Sequence, residues 1–134
     1  MEDNKVKFLE MIQKIVDRMA NNSFLLKGWA VTLMAGIFVL IEKDTNYSFF
    51  LTAYLPITLF WFLDSYYLQL ERKYRVLYNK TTEISPDKID FKLYPPKSNK
   101  KDKTCYCQSF FSIAECGFYL PTATLITLVL FLSL

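Results

Sequence analysis

Three stretches of this chain, Ser23–Ile41, Thr45–Leu63 and Cys116–Leu134, run for nineteen residues each, the first with only Lys27 as a charge and the other two with none. A helix of about 20 apolar residues is what the ~30 Å hydrocarbon core of a bilayer requires. In 134 residues, with 52% of them hydrophobic, such blocks leave little choice of fold. Taken strictly, the first block is short: Gly28 to Ile41 gives 14 uncharged residues, the length of a buried core helix. Counting from Ser23 lets it span, because the long stem of Lys27 carries its ammonium outward. Pro56 is expected to bend the second block and free a carbonyl near Thr52, and Pro121, four residues after Gly117, predicts a kink in the third.

The cations set a topology. Five lysines and arginines precede Gly28, Lys27 at the edge of the first block being the last, Lys43 alone separates the first block from the second, and ten lie between the second and third, which accounts for all 16. The positive-inside rule then places the N-terminus and the long loop in the cytoplasm, and the short hairpin and the C-terminus outside. The expected fold is an all-α membrane protein with an N-terminal amphipathic cytosolic helix and three transmembrane helices, assembled as a homo-oligomeric ring. Its parts are an amphipathic helix over 1–22, a first span over 23–42, and a second over 45–70 that continues in the cytosol to about 80. A basic loop over 81–107 and a third span over 108–134 follow.

Phe8, Ile12, Ile15 and Met19 recur at 4-3-4 spacing across residues 4–20, with Glu10, Lys14, Asp17 and Arg18 elsewhere on the wheel. Asp3 or Asn4 can cap this helix, and Asn21-Asn22-Ser23 reads as a break or a second cap. Both signs of charge favour a helix packed on its neighbours over one lying on lipid. Beyond the second block Leu63, Tyr67, Leu70, Tyr74 and Leu77 continue as one stripe, with Glu71 and Arg75 as a well-oriented i,i+4 pair. This stripe and that of Phe8–Met19 are expected to pack together, within one subunit or between neighbours. Ile89 to Tyr94 alternates as a short edge strand or extended docking segment does, and Ser98 to Lys103 reads as a flexible basic stretch.

Several function classes fall away. With no histidine, Ser-His-Asp and Cys-His catalysis and histidine metal sites are excluded. Cys105, Cys107 and Cys116 form neither a zinc quartet nor a redox C-x-x-C, and suggest reduced thiols. The acidic start, Glu2-Asp3, is not the basic n-region of a cleavable signal. Ser65 and Ser112 have no base, the carboxylates are scattered, and three glycines make no phosphate loop. No enzyme, cofactor or metal is expected. The net charge of +3 suits a bilayer with anionic headgroups rather than direct nucleic-acid binding, and Arg72-Lys73-Tyr74-Arg75 reads as headgroup contact and packing.

The topology sets Lys27, Asp64 and Glu115 at one depth, near the cytoplasmic face. An ionisable group there needs a partner or water. One reading pairs Lys27 with Asp64 inside the subunit, with Glu115 snorkelling or protonated. The other turns one acid, Asp64 first, toward an aqueous path in an oligomer, since three helices cannot enclose a pore alone.

Two stretches carry a resemblance: Asn22-Ser23-Phe24 with Lys27-Gly28-Trp29-Ala30-Val31-Thr32-Leu33, then Phe60-Trp61-Phe62-Leu63-Asp64-Ser65-Tyr66-Tyr67-Leu68 with Glu71-Arg72-Lys73-Tyr74-Arg75-Val76-Leu77-Tyr78. Over roughly residues 20 to 94 the chain resembles the RipA-like family of small octameric bacterial membrane proteins, related to the membrane-pore accessory protein of Cas13b-type CRISPR systems. The resemblance implies a multimeric inner-membrane assembly, up to an octamer, with antiviral or stress-response roles and a cytosolic defence-system protein as partner. It does not bring nuclease activity, since the R-x-x-x-x-H motif needs a histidine. The leading expectation is an oligomeric pore or pore-like effector that depolarises the bacterial inner membrane on activation. The alternatives are a membrane scaffold recruiting a cytosolic partner through residues 79–104, and a phage holin-like protein.

Overall fold

A computed structural model describes residues 2–43 and 47–133. Four α-helices and one 3₁₀ turn make up the fold, with no strand among the described residues: α1 Glu2–Lys43, α2 Tyr47–Glu83, the turn Pro86–Lys88, α3 Tyr106–Phe110 and α4 Ile113–Ser133. Helices α1 and α2 are an antiparallel pair of roughly 63 and 55 Å at 1.5 Å per residue. The turn predicted to join them falls at 44–46, outside the described residues. Two helices, α1 over Glu2–Leu40 and α4, are long and apolar enough to cross a membrane by length and composition.

The break expected at Asn21-Asn22-Ser23 is absent, and α1 runs through it without interruption. Its inward line explains why. Phe8, Ile12, Val16, Met19, Ser23, Ala30 and Met34 are buried, with Lys27 and Phe38 half-buried on the same line. The spacing is 4-4-3 repeated, an eleven-residue period of 3.67 residues per turn. One seam therefore continues from the charged end of the helix into its apolar end. The small propensity penalty of two asparagines and a serine, a few tenths of a kcal/mol each, does not outweigh it. The same period corrects the predicted stripe: Val16, not Ile15, takes the third core position, and Ile15 is half-buried.

Two cores lie along the pair. In the charged half Phe8, Ile12 and Val16 pack against Tyr74, Leu77 and Tyr78 of α2 and against Ile89 and Leu93 of the loop. The two stripes thus meet within one chain, and Tyr67 and Leu70 are half-buried. In the apolar half Ala30 and Met34 of α1, Ala53 and Ile57 of α2, and Tyr119 and Ile126 of α4 form the second core, with α2 central. Pro56 and Pro121 sit inside continuous helices. Thr52, Thr58, Thr122 and Thr124 return their hydroxyls to the carbonyl four residues back, which makes them compatible with apolar surroundings.

The loop is bound more closely than its composition suggested. Residues 89–94 form no strand: Lys92 N–H donates to Asp90 O at 2.6 Å across Phe91, and Phe91 meets Phe8 edge-on at 5.5 Å. The stretch expected to be flexible is a closed turn, in which Thr104 N–H donates to Asn99 O at 3.1 Å and Asn99 N–H to Thr104 Oγ1 at 2.6 Å. Gln69 Nε2 donates to Thr104 O at 3.1 Å and Arg72 Nη1 to Lys103 O at 3.2 Å, which straps the turn to α2. Lys5 Nζ donates to the carbonyls of Thr82 and Ile84 at 3.0 and 2.8 Å, satisfying acceptors that the end of α2 leaves open. The third apolar helix begins later than predicted, at Ile113. The chain turns at Phe111-Ser112, where Ser112 Oγ accepts the N–H of Glu115 at 3.4 Å as a helix cap does.

Candidate functional site: a buried ion cluster at the helix crossing

Where the two cores meet, the seam of α1 is polar. The eleven-residue line that buries Met19 and Ala30 sets Ser23 and Lys27 between them, one turn apart. Opposite stands Asp64, at the position where the apolar run of α2 ends, and α4 brings Glu115 and Tyr119, also one turn apart.

Lys27 Nζ donates to Asp64 Oδ2 at 2.5 Å, to Ser23 Oγ at 3.1 Å and to Glu115 Oε1 at 3.3 Å. An ammonium has three protons, so its donors are used up on its own chain. Asp64 accepts from Ser23 Oγ through Oδ1, and from Lys27 and Tyr119 Oη through Oδ2, the last at 3.0 Å. Both carboxylates are buried, while the Lys27 side chain keeps 21% of its surface exposed. Trp61 lies between two parallel rings, Phe110 at 4.5 Å and Tyr119 at 5.8 Å, and its Nε1 donates to Phe110 O at 3.1 Å. This stack holds Tyr119 against the cluster and ties α3 to α2.

The arrangement holds three helices together by charge. In a medium of low dielectric constant each ion pair is worth several kcal/mol before desolvation is subtracted, so much of its effect lies in register rather than net stability. Two carboxylates face one ammonium, and Glu115 Oε2 is buried with no hydrogen-bond partner among the described residues. That oxygen is an open acceptor of the cluster among the described residues. The described residues hold no group of three or more His, Cys, Asp or Glu suited to a metal ion.

The three residues assigned to one depth, Lys27, Asp64 and Glu115, are thus in direct contact. Sequence reasoning missed Ser23, read as a helix break, and Tyr119. Both stand four residues from a charged member of the cluster, Ser23 from Lys27 and Tyr119 from Glu115, and that spacing was the available signal. Of the packing residues, Phe8, Ile12, Tyr74 and Leu77 meet in the charged-half core, and Met19 is buried. Glu71 and Arg75 pair at 2.9 Å on one helix face. Comparison with protein-family models, curated proteins and solved structures finds no match to this chain.

Proposed function

We propose that the chain is the subunit of an oligomeric pore or pore-like effector of the bacterial inner membrane, acting in antiviral defence by depolarising the cell. In this reading α1 from about Ser23, the apolar half of α2, and α4 are three spans, with the charged half of the α1–α2 pair in the cytoplasm. The observation that carries the proposal is the ion cluster at the base of three apolar helices whose outward faces are also apolar. Phe24, Trp29, Leu40, Leu51, Leu55, Leu128 and Phe131 are all exposed, and a protein in water does not leave so continuous a surface uncovered.

The cluster fills the seam between the helices of one subunit, so a conducting path would run between copies. Asp64, held by three donors inside the subunit, is then the anchor of the fold, and Glu115, buried with one oxygen unpartnered among the described residues, is the acid that a water or ion entering between copies would meet. Induced expression in cells carrying a membrane-potential dye tests this. Depolarisation by the wild type, altered in Glu115→Gln, is expected. An unchanged potential with the cognate defence system active would sink the pore.

A second reading, a scaffold, has its own observation. Within residues 89–94 Ile89 and Leu93 pack on the core whereas Tyr94 is exposed, as is half of Phe91 beside Phe8, and the exposed ring surface would suit a cytosolic partner. Under this reading Tyr94→Ser abolishes capture of that partner and leaves permeability unchanged.

A further inference from the structure

A cleft of about 450 Å³ opens where the strapped turn meets the start of α4. Its walls are Arg72 of α2, Lys103 of the loop, Gln108 of α3, and Phe111 to Ala114. Lys103 is held at φ 56°, a left-handed conformation unusual for a residue with a Cβ, at the point where Arg72 bonds its carbonyl. Gln108 Nε2 donates to Lys100 O at 3.1 Å, which fixes the same corner. The cleft therefore offers two cations on a braced backbone. Beside them stand two large apolar side chains in the open, Phe111 at 70% and Ile113 at 93% exposure.

Ile113 also begins a shallow apolar groove of about 760 Å³, open along its length and formed by one face of α4 alone, that passes Gly117 and Pro121 to Leu128. A Cβ built at Gly117 would meet nothing within 4 Å, so the groove has room there. From Ile113 to Leu128 it runs about 22 Å at 1.5 Å per residue, longer than the ~15 Å half-thickness of a bilayer's hydrocarbon core. A cationic cleft joined to an apolar groove of that length matches one ligand shape, a phosphate diester carrying an acyl chain.

We propose that the Arg72–Lys103 cleft binds the headgroup of an anionic glycerophospholipid whose acyl chain lies in the Gly117–Pro121 groove of α4. The guanidinium and ammonium meet the phosphate. Phe111 and Ile113 cover the glycerol end, where the bilayer interface would lie. The proposal rests on the membrane reading above and assigns that reading a lipid with a defined seat, rather than a diffuse attraction to the leaflet.

The test uses the full chain, purified in detergent and offered phosphatidylglycerol, phosphatidylcholine or inorganic phosphate, with retained lipid counted by native mass spectrometry and thermal shift as a second readout. Wild type is expected to retain phosphatidylglycerol about tenfold better than phosphatidylcholine, a difference of about 1.4 kcal/mol. Arg72→Gln and Lys103→Gly should abolish that preference. The second should do so without loss of stability, since glycine suits the left-handed position. Gly117→Leu, which fills the groove, should lower retention of both lipids.

Equal retention of the two lipids overturns the proposal. So does protection by millimolar inorganic phosphate matching that of phosphatidylglycerol, which would leave a plain anion site. If Gly117→Leu dissociates an oligomer while lipid retention stays unchanged, the groove is a seat for a second copy and the proposal again fails. Resistance of the bilayer-inserted chain to alkaline extraction from pure phosphatidylcholine vesicles is scored separately, because its loss would refute the membrane reading and not the headgroup preference.

Discussion

In the charged half of the α1–α2 pair the exposed face carries Glu10, Lys14, Asp17 and Arg18, whereas in the apolar half it carries Trp29, Leu33, Leu40, Leu51 and Leu55. The inward line of α1 is continuous through both. In the first half, inside and outside differ in polarity, so burying Phe8, Ile12 and Val16 is enough to choose which face turns inward. In the second half both faces are apolar, and hydrophobicity cannot tell them apart. There the choice falls to shape and charge. Ala30 and Ala53 are small enough for close approach, and the Ser23–Lys27–Asp64–Glu115 cluster fixes a single register. The ion cluster does for the apolar half what the solvent does for the charged one.

The strongest way to break this comparison is to remove one charge from the cluster. Asp64→Ala leaves the half-buried Lys27 against Ser23 and Glu115 only, and the loss of one partner of a buried pair costs about 3–5 kcal/mol as an upper figure for a cation this exposed. Unfolding in mixed micelles should report that loss. A triple change to Lys27→Met, Asp64→Leu and Glu115→Gln should recover much of the stability and lose the unique register, seen as multiple cross-linked products between cysteines placed on α1 and α2. A triple variant no more stable than Asp64→Ala would show that the cluster acts by packing alone.

The charged half answers to a different cut. Ile12→Ala removes a fully buried side chain and is expected to cost about 3 kcal/mol, whereas Ile15→Ala, half-buried and off the seam, should cost under about 1 kcal/mol. Hydrogen exchange should show the Ile12 effect in the first turns of α1 and spare Gly28 to Val39. The reverse ranking would return the helix to a 4-3-4 stripe and with it a helix break at Asn21-Asn22-Ser23.

That ranking also marks what was legible in the sequence. The all-α class and the pairing of Lys27 with Asp64 could be read because charge and length act on whole blocks, whereas the bond of Glu115 to the same ammonium was not read. The uninterrupted α1 could not, because Asn21-Asn22-Ser23 is a local signal, and the eleven-residue seam that overrides it appears only across some thirty residues. Tyr119 escaped because its spacing from Glu115 puts it on the same face of α4 but does not encode that its hydroxyl meets Asp64 on α2. The ordered turn at 99–104 escaped for a similar reason: Gln69 and Arg72, far away in sequence, supply the bonds that hold it.

Two side chains of nearly equal exposure sharpen the contrast between the halves. Val6 in the charged half is 53% exposed and Leu125 on α4 is 50% exposed. Val6→Lys should change stability by no more than about 0.5 kcal/mol. Leu125→Arg, mid-way along α4, should oppose bilayer insertion by about 2.5–3.5 kcal/mol, measured as the fraction of chain resisting alkaline extraction. Equal tolerance of the two would mean that the outward face of α4 is covered by protein or water, not by lipid.

The smallest expected effect concerns Glu71 and Arg75, an expected i,i+4 pair and candidates for packing within or between subunits. Arg75 Nε donates to Glu71 Oε1 at 2.9 Å along one face of α2, and Nη2 lies 2.9 Å from the same oxygen; a pair of this kind on a helix surface contributes about 0.3–0.5 kcal/mol. Glu71→Gln should therefore lower stability by no more than that, and molar salt should erase the difference by screening. Size-exclusion chromatography with light scattering decides whether the pair does more. If Glu71→Gln leaves the oligomer intact, the pair is a local brace of the charged half. If the oligomer dissociates, the effect is too large for an exposed intrahelical pair, and this face of α2 is a subunit interface.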